Sequence, residues 1–288
     1  MLRIGDFEIH SVLNGTMRLD GGAMFGVVPK VLWQRKQDVD DLNRILLATR
    51  TLLALNRRVG AVILVDTGTG SKWPADEADR YGITPSPAAV DDRLRDLGLQ
   101  AVDVTDVVVT HLHFDHNGGV TDWADAEKSH TRLHYPKARH WMHRRHWEHA
   151  HRPTLKDRAS FLARDYAALE APGTLTFVER EEDRGPCEGV SWFVSDGHTR
   201  AQLLPVFHGD GGPLVFTGDV VPTAAHLPVP WVMAYDLEPL VTMREKEAIY
   251  ARCRREGLKL AFPHDPHVAG VELEPAADKP IIARTLEL

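Results

Sequence analysis

Apolar runs rich in β-branched residues recur along the chain, and most of them end abruptly in polar or glycine residues. Short runs of this kind are typical of β-strands. The amino-terminal half contributes FEIHSVLNG, an expected edge strand, followed by VGAVILV and VTDVVVT. The carboxy-terminal half contributes TLTFV, VSWFV, RAQLLPVF, GPLVFTG and LKLAF. The pattern therefore predicts two groups of strands.

Three segments have the apolar spacing of helices. Residues 87–98 begin with a proline and end with a glycine, and MREKEAIYARCRREG lies near the carboxyl end. Strands followed by helices in both halves predict an α+β protein, with two sheets packed face to face and helices outside, as one domain over residues 1–288. In the remaining predicted helix, residues 154–170, the side chains expected to face inward are Leu155, Phe161, Leu162 and Leu169.

The glycine-rich segment of residues 19–36 has neither a strand nor a helix period. It is too irregular for a strand and too apolar for a solvated loop. Its glycines permit close approach and bending, and Met24, Phe25 and Trp33 supply adaptable apolar surface. We expect this segment to form an apolar flap that lines a substrate pocket. A purely structural loop is the alternative.

Composition and charge narrow the class of protein. Of 288 residues, 43% are hydrophobic and 26% are charged, so the chain can bury a large core. The formal net charge is −7, and nucleic-acid-binding proteins typically carry an excess of basic residues instead. The two cysteines lie far apart, which favours reduced thiols. No apolar run approaches the roughly 20 residues of a transmembrane helix, and the amino terminus lacks a signal-peptide pattern. We expect a cytoplasmic protein without membrane or nucleic-acid partners.

Metal-binding residue types follow the predicted strands at several places. Ligand sites gather beyond strand ends because the strand is rigid and the following loop is free to vary. The hexapeptide HLHFDH, after VTDVVVT, contains three histidines and one aspartate. The residues of these types at strand ends and in the hairpin SDGHT are Asp66, His111, His113, Asp115, His116, His198, Asp219 and His264.

Neutral imidazoles and carboxylates suit Zn²⁺, Fe²⁺ or Mn²⁺, and the lack of cysteine ligands disfavours a closed structural zinc site. One ion would be bound by His111, His113 and His198, which leaves a coordination position for water. A second ion would be bound by Asp115, His116 and His264. Asp219 would bridge the two ions, which in such sites lie about 3.5–4 Å apart.

HLHFDH, with DTG upstream, GHT and TGD downstream and a late PHD, resembles the metallo-β-lactamase fold superfamily of hydrolases. The resemblance extends from about Ile9 to about Pro266. It implies a four-layer αβ/βα sandwich of two mixed sheets with helices outside, and a dinuclear site, most readily of zinc, with the ligands named above. It also implies that Asp66 supports a ligand histidine. The PHD ending and the long amino-terminal segment most resemble acyl-homoserine-lactone lactonases and methyl-parathion-type phosphotriesterases.

We expect Asp115, Asp219 and His226 to act in catalysis. His226 lies in VVPTAAHLPVPWVMAYD, directly after Asp219, and could orient a substrate oxygen or donate a proton. A plain surface histidine is the alternative. Trp231 in the same segment is expected to line the pocket, and Tyr235 is a weaker candidate.

Seven of the 16 histidines lie between His130 and His151, among many arginines and lysines. Their spacing is irregular, and no carboxylate stands beside a pair. We expect exposed histidines on a basic helix without a metal role.

These observations predict a hydrolase in which a hydroxide that bridges two ions attacks a lactone or carboxylic ester with an apolar tail. A phosphotriesterase or phosphodiesterase is the alternative, and a non-catalytic metal- or ligand-binding protein is a further one. The excess of acidic over basic residues disfavours a nucleic-acid hydrolase. The complete ligand set for a second ion disfavours an iron-dependent persulfide oxygenase. The expected partner is a small-molecule substrate, with a homodimer as the candidate assembly.

Overall fold

The described residues, 1–288 of a computed structural model, form two mixed β-sheets and a small two-stranded sheet. The strands are β1 Leu2–Ile4, β2 Phe7–Asp20, β3 Arg44–Asn56, β4 Ala61–Val65, β5 Thr84–Pro85, β6 Asp106–Val108, β7 Thr121–Trp123, β8 Thr131–Leu133, β9 Arg139–His143, β10 Leu175–Val178, β11 Val190–Ser195, β12 Gln202–Phe207, β13 Leu214–Phe216, β14 Lys259–Ala261, β15 Gly270–Leu273 and β16 Ile282–Thr285.

The helices are short except for the last one. The α-helices are α1 Gly21–Phe25, α2 Lys30–Trp33, α3 Ala75–Arg80, α4 Ala89–Asp96, α5 Phe114–Asn117, α6 Arg144–Ala150, α7 Ala163–Tyr166 and α8 Pro239–Glu256. The 3₁₀ turns are Ala101–Asp103, Gly118–Val120, Arg158–Ser160, Ala167–Glu170, Gly218–Val220 and Ala224–His226.

The first sheet has the strand order β1-β2-β3-β4-β6-β9-β10, with β5 added beside β2, and the second has the order β11-β12-β13-β14-β15-β16. In the first sheet the pairs β4–β6, β6–β9 and β9–β10 are parallel, while β1–β2, β2–β3 and β3–β4 are antiparallel. In the second sheet only β13 and β14 pair in parallel. Both sheets are therefore mixed, as the resemblance implies.

Three apolar layers show how the sheets and helices are stacked. Phe7 and Leu52 of the first sheet meet Trp192 and Phe207 of the second in one buried cluster, so the sheets pack face to face. The outer face of the first sheet packs against α4 and α6, and the outer face of the second packs against α8. The order helix–sheet–sheet–helix confirms the predicted four-layer αβ/βα sandwich.

The predicted helix over residues 154–170 is wrong. Only Ala163–Tyr166 is α-helical, and Leu155, expected to face inward, is 85% exposed. The Thr154 hydroxyl donates to the Asp157 carboxylate at 2.7 Å, and the same hydroxyl accepts from the Lys156 backbone N–H at 3.2 Å. Such local side-chain bonds compete with helical backbone bonds and favour a loop.

The histidine-rich segment, expected to be an exposed helix, is helical only in part and is not uniformly exposed. Residues 139–143 form strand β9, Arg144–Ala150 forms helix α6, and His140, His143 and His146 are all buried. His146 accepts from the Leu112 N–H and donates to the Arg200 carbonyl oxygen, both at 2.8 Å. His146 therefore satisfies backbone groups in the interior.

The segment of residues 19–36 contains the end of β2 and the helices α1 and α2. The Asp20 carboxylate accepts from the Ala23 N–H at 2.8 Å and thereby caps α1. Phe25 and Trp33 are buried in the core cluster that this segment forms with β2 and β3. No helix of the structure has the length and apolar character to span a membrane.

Candidate metal centre

The candidate ligands lie at one edge of the sandwich, beyond the ends of strands from both sheets. HLHFDH comes after β6 of the first sheet, with α5 carrying its second half. The other ligands belong to the second sheet: His198 lies in the β11–β12 hairpin, Asp219 follows β13, and His264 follows β14. Two sheets therefore supply the site jointly.

The structure brings all seven predicted ligands together. Three groups of side chains have potential ligand atoms that lie within 4.8 Å of one another, and every member is buried. The groups are His111, His113 and His198; His111, His116 and Asp219; and Asp115, His116 and His264.

Asp219 lies between the two predicted ion sites. Its Oδ2 is 3.2 Å from Nε2 of His198, and its Oδ1 is 3.1 Å from Nε2 of His264 and 3.3 Å from Nε2 of His116. Each oxygen therefore faces a different ligand group. This is the placement that a bridging carboxylate requires.

The donor set fits divalent ions. Nε2 of His111 is buried without a hydrogen-bond partner, which costs free energy unless another group binds it. Nε2 of His198 is 3.1 Å from Nδ1 of His113, and Nε2 of His264 is 3.0 Å from Nε2 of His116. Two ligands of one tetrahedral zinc ion lie about 3.3 Å apart, so these nitrogen pairs match shared ligation.

Hydrogen bonds at Nδ1 fix the ring orientation of three candidate ligand histidines. Asp66 contacts Nδ1 of His116 at 2.8 Å and also accepts from the Thr110 N–H and hydroxyl, which agrees with the role expected for Asp66. His264 donates from Nδ1 to the Ala48 carbonyl oxygen at 2.8 Å. Nδ1 of His198 donates to the carboxylate oxygen Oδ1 of Asp236 at 3.0 Å. Bonds of this kind fix the tautomer and leave Nε2 free to bind a metal.

Electrostatics set different protonation states for different ligands. Burial and the neighbouring imidazoles lower the pKa values of His111 and His113 well below the ordinary value, so both rings are neutral. Burial alone would raise the pKa of Asp219, but His116, His264 and His198 outweigh it and hold that pKa well below its ordinary value. Burial alone would lower the pKa values of His116 and His198, but Asp219 and the neighbouring carboxylates outweigh it and raise both above the ordinary value. Because metals bind neutral imidazole, an ion must displace protons from these two rings.

A close backbone contact joins the DTGTG segment to the end of HLHFDH. A Cβ atom on Gly118 would lie 2.1 Å from the Thr69 carbonyl oxygen, and one on Gly70 would lie 2.1 Å from the Gly118 oxygen. Gly70 also has a φ of +64°, which side chains other than glycine rarely adopt. Glycines in both segments therefore allow His116 and Asp66 to approach each other.

A cavity of about 280 Å³ opens beside the ligands. One side of it is apolar and comes from β2, β3, α1, α5 and the segment before Asp236: Met17, Leu19, Met24, Leu47, Phe114 and Met233. The polar lining residues are Lys156, Asp157, Ser160 and Tyr235, together with five candidate ligands, His113, Asp115, His198, Asp219 and His264.

Four residues predicted to face substrate do not line this cavity. Phe25 is buried, stacked between Trp33 and His226 with ring centroids 5.2 and 4.5 Å away, and Trp231 packs edge-on against it. Of Met24, Phe25, Trp33 and Trp231, Met24 alone lines the cavity. The flap therefore presents Leu19 and Met24 to the cavity and buries Phe25 and Trp33 as support.

His226 has no free ring nitrogen for substrate. Nε2 donates to the Met24 carbonyl oxygen and Nδ1 accepts from the Thr223 hydroxyl, both at 2.8 Å, and the residue is fully buried. Burial lowers the pKa of His226 to about 3, so it cannot serve as a proton donor near neutral pH. The predicted catalytic role of His226 does not fit this placement.

Sequence reasoning missed Asp236, Lys156 and most of the apolar wall. Lys156 was missed because its segment was wrongly predicted to be a helix, and nothing in a helix prediction places this residue near the strand ends. Asp236 stands in VMAYD, 38 positions from His198, with no spacing that links it to a ligand motif. The Tyr235 that precedes it, a weaker candidate, does line the cavity.

Comparisons with known proteins agree with this geometry. The sequence model of the metallo-beta-lactamase superfamily matches residues 52–273. The N-acyl homoserine lactonase AiiB of Agrobacterium fabrum (strain C58) is 40% identical over 68 residues, 21% of this chain and only 25% of that protein. A probable metal-dependent hydrolase from Staphylococcus aureus has a TM-score of 0.86 at 27% identity, over 99% of this chain and 100% of the other. AidC, a dizinc quorum-quenching lactonase in complex with a product, shares the fold with a TM-score of 0.79 at 16% identity, over 99% and 96% of the two chains.

Proposed function

Since this chain belongs to the metallo-beta-lactamase superfamily, we propose that it is a metal-dependent hydrolase that cleaves a lactone or carboxylic ester with an apolar tail. The observation that carries the proposal is the cavity, because candidate ligands line it together with methionine and leucine side chains. A substrate whose reacting carbonyl lies at the candidate ligands would place its hydrocarbon tail beside these methionine and leucine side chains.

Two ligand groups with Asp219 between them support a dinuclear site. Two divalent ions, most readily zinc, would supply a nucleophile derived from water and stabilise charge that develops on the substrate oxygen. The chain's own contribution is to hold the seven ligand side chains in fixed positions, to keep His111 and His113 neutral, and to exclude bulk water. Iron and manganese also accept these ligand types.

The cavity also carries polar groups besides the candidate ligands. Lys156 and Tyr235 line it, and both can donate hydrogen bonds to substrate oxygens. Burial raises the pKa of Tyr235 to about 12, so its hydroxyl keeps its proton near neutral pH. An amphipathic ester, with oxygens at one end and hydrocarbon at the other, therefore matches the cavity better than a wholly polar substrate. The names of AiiB and AidC point to the same substrate class.

The test is proton release from the zinc-loaded protein on addition of an N-acyl homoserine lactone, with and without prior chelation. We expect chelator-sensitive turnover, with a higher kcat/KM for the N-decanoyl than for the N-butanoyl compound. Asp219→Asn, a variant of nearly equal volume, should lower kcat by at least about a hundredfold because it removes the charge between the two ligand groups.

Turnover that survives full metal removal would contradict the proposal, as would near wild-type kcat in Asp219→Asn. A metal-loaded protein that releases no protons from lactones or esters but hydrolyses a phosphotriester or phosphodiester would replace the ester reaction with the phosphoester one. Inactivity on all three classes would leave a non-catalytic metal-binding protein.

A further inference from the structure

Asp236 is a buried carboxylate that the ligand motifs do not include. It is 1% exposed, and its Oδ1 accepts from Nδ1 of His198 at 3.0 Å. Its Oδ2 accepts from the Met233 N–H at 3.3 Å, within the turn that ends at Asp236. Both carboxylate oxygens are therefore engaged, one of them on a candidate metal ligand.

The backbone after Asp236 is bound to the same hairpin. The Leu237 N–H donates to the His198 carbonyl oxygen at 3.0 Å, and the Glu238 N–H donates to the Gly197 carbonyl oxygen at 2.9 Å. Residues 236–238 thus hold His198 by its ring and by its main chain. Of these three contacts, only the hydrogen bond from the His198 ring to the Asp236 side chain determines the orientation of the ring.

The same turn forms part of the cavity wall. Met233, Ala234 and Tyr235 line the cavity, and the Lys156 ammonium group, which also lines it, donates to the Asp236 carbonyl oxygen. The residue that orients His198 is therefore built into the surface that a substrate would contact.

A second carboxylate has the matching position on the other ligand group. Asp66 contacts Nδ1 of His116, just as Asp236 contacts Nδ1 of His198. His116 belongs to the group with Asp115 and His264, whereas His198 belongs to the group with His111 and His113. Each ligand group thus has its own supporting carboxylate, one from each half of the chain.

We propose that Asp236 is a positioning residue for the proposed reaction: its carboxylate fixes the ring and tautomer of His198, so that Nε2 binds the ion held with His111 and His113. This inference rests on the proposed function for its role in turnover, but its effect on metal binding stands apart from any substrate. Carboxylates behind ligand histidines typically contribute 10–100-fold to metal affinity.

The test uses the full chain, Zn²⁺ alone and a competing chromophoric chelator. Asp236→Ala should weaken one of the two zinc sites by about 10–100-fold and leave the other unchanged. Asp236→Asn retains an oxygen that accepts from Nδ1–H and should show a smaller loss. With Co²⁺ in place of zinc, the visible spectrum of the weakened site should change in Asp236→Ala and be largely restored in Asp236→Asn.

Asp66→Asn serves as the mirror variant, since it should weaken the other site. Asp106→Asn is the matched control, because Asp106 is a buried carboxylate bonded to Arg139 and Trp141, away from every candidate ligand. It should leave both zinc affinities unchanged.

Wild-type zinc affinities and cobalt spectra in both Asp236 variants would overturn the inference. So would an equal loss at both sites that accompanies a fall in Tm, which indicates a structural role only. If Asp236→Ala does not fold, the same criteria apply to Asp236→Asn. Selective weakening of one site in a protein that hydrolyses no ester would support Asp236 as positioning His198 while contradicting the proposed function.

Discussion

The candidate ligand histidines differ from His146 and His226 in what their ring nitrogens contact. His116, His198 and His264 each use Nδ1 on a protein acceptor and direct Nε2 at the ligand cluster. His146 and His226 use both nitrogens on protein groups. A histidine that is saturated by the protein has no lone pair for a metal, so this difference excludes His146 and His226 as ligands.

Met24 and Phe25 allow a matched test of the cavity wall, because they are adjacent and only Met24 lines the cavity. Met24→Ser should raise KM for an N-decanoyl lactone by about tenfold, since it removes apolar contact area, and should leave KM for the N-butanoyl compound within about twofold. Steady-state kinetics with both lactones provides the measurement.

Phe25→Ser is the control. It removes a fully buried ring stacked on Trp33 and His226, so it should lower the free energy of unfolding by about 3–5 kcal/mol without preference between the two lactones. Equal KM changes for both lactones in Met24→Ser would contradict the wall assignment.

The sequence allowed the clustering of the seven candidate ligands with Asp66 to be predicted, because their residue types stand in motifs at strand ends. His226 looked equivalent to them, since sequence does not show that Met24 and Thr223 occupy its nitrogens. The support of His264 by the Ala48 carbonyl oxygen could not be predicted either. A backbone acceptor has no sequence signature, and the two residues are 216 positions apart.

At the scale of elements, the segment between Asp219 and α8 connects the flap, the cavity and the ligands. The Ala234 N–H donates to the Ala23 carbonyl oxygen of α1 at 2.8 Å. Lys246 of α8 is fully buried and donates to the carbonyl oxygens of His226, Pro228 and Trp231 at 2.5, 2.8 and 3.0 Å. Because this segment has little regular structure of its own, these bonds fix its path.

Lys246 gives a prediction about pH. Burial lowers its pKa to about 7 in the folded chain, whereas an unfolded lysine titrates near about 10.4. Between these values the unfolded chain binds more protons than the folded one, so the contribution of Lys246 to the free energy of unfolding increases as pH rises. The difference in unfolding free energy between wild type and Lys246→Met should therefore shift in favour of wild type from about pH 7 to about pH 10.

Urea denaturation of both proteins at equal metal content, at several pH values in this range, provides the measurement. Charged groups elsewhere titrate identically in the two proteins and cancel in the difference. A difference that does not change with pH would show that Lys246 keeps its proton in the folded chain.

Helices could be predicted where the burial of side chains follows the apolar spacing of the sequence. They could not be predicted where hydrogen bonds between side chains determine the backbone path. The apolar spacing of residues 87–98 agrees with α4, whose Val90 and Leu94 are buried. Residues 154–162 have similar spacing, yet Thr154 and Asp157 form local bonds and Asp157 also accepts from His149 at 2.6 Å. The bond from His149 depends on how the preceding helix α6 packs against this segment, which the apolar spacing does not indicate.

At the scale of the whole molecule, the candidate site joins the two sheets. The first sheet supplies HLHFDH, and the second supplies His198, Asp219 and His264. Arg50 of β3 also crosses the interface, donating to the carbonyl oxygens of Phe262 and Asp265 at 3.1 and 2.6 Å. Two ions bound here would therefore link the sheets and stabilise the folded chain by mass action.

The most direct test of the account is the number of zinc ions that one chain binds. The purified protein, stripped of metal, is saturated with Zn²⁺, freed of excess ion and analysed for zinc per chain, with the His198→Ala and His264→Ala variants prepared alongside. We predict two zinc ions for the wild type and about one for each variant, because each substitution removes a ligand from a different group. One zinc ion or none in the wild type, or wild-type content in both variants, would contradict a dinuclear centre built from these residues.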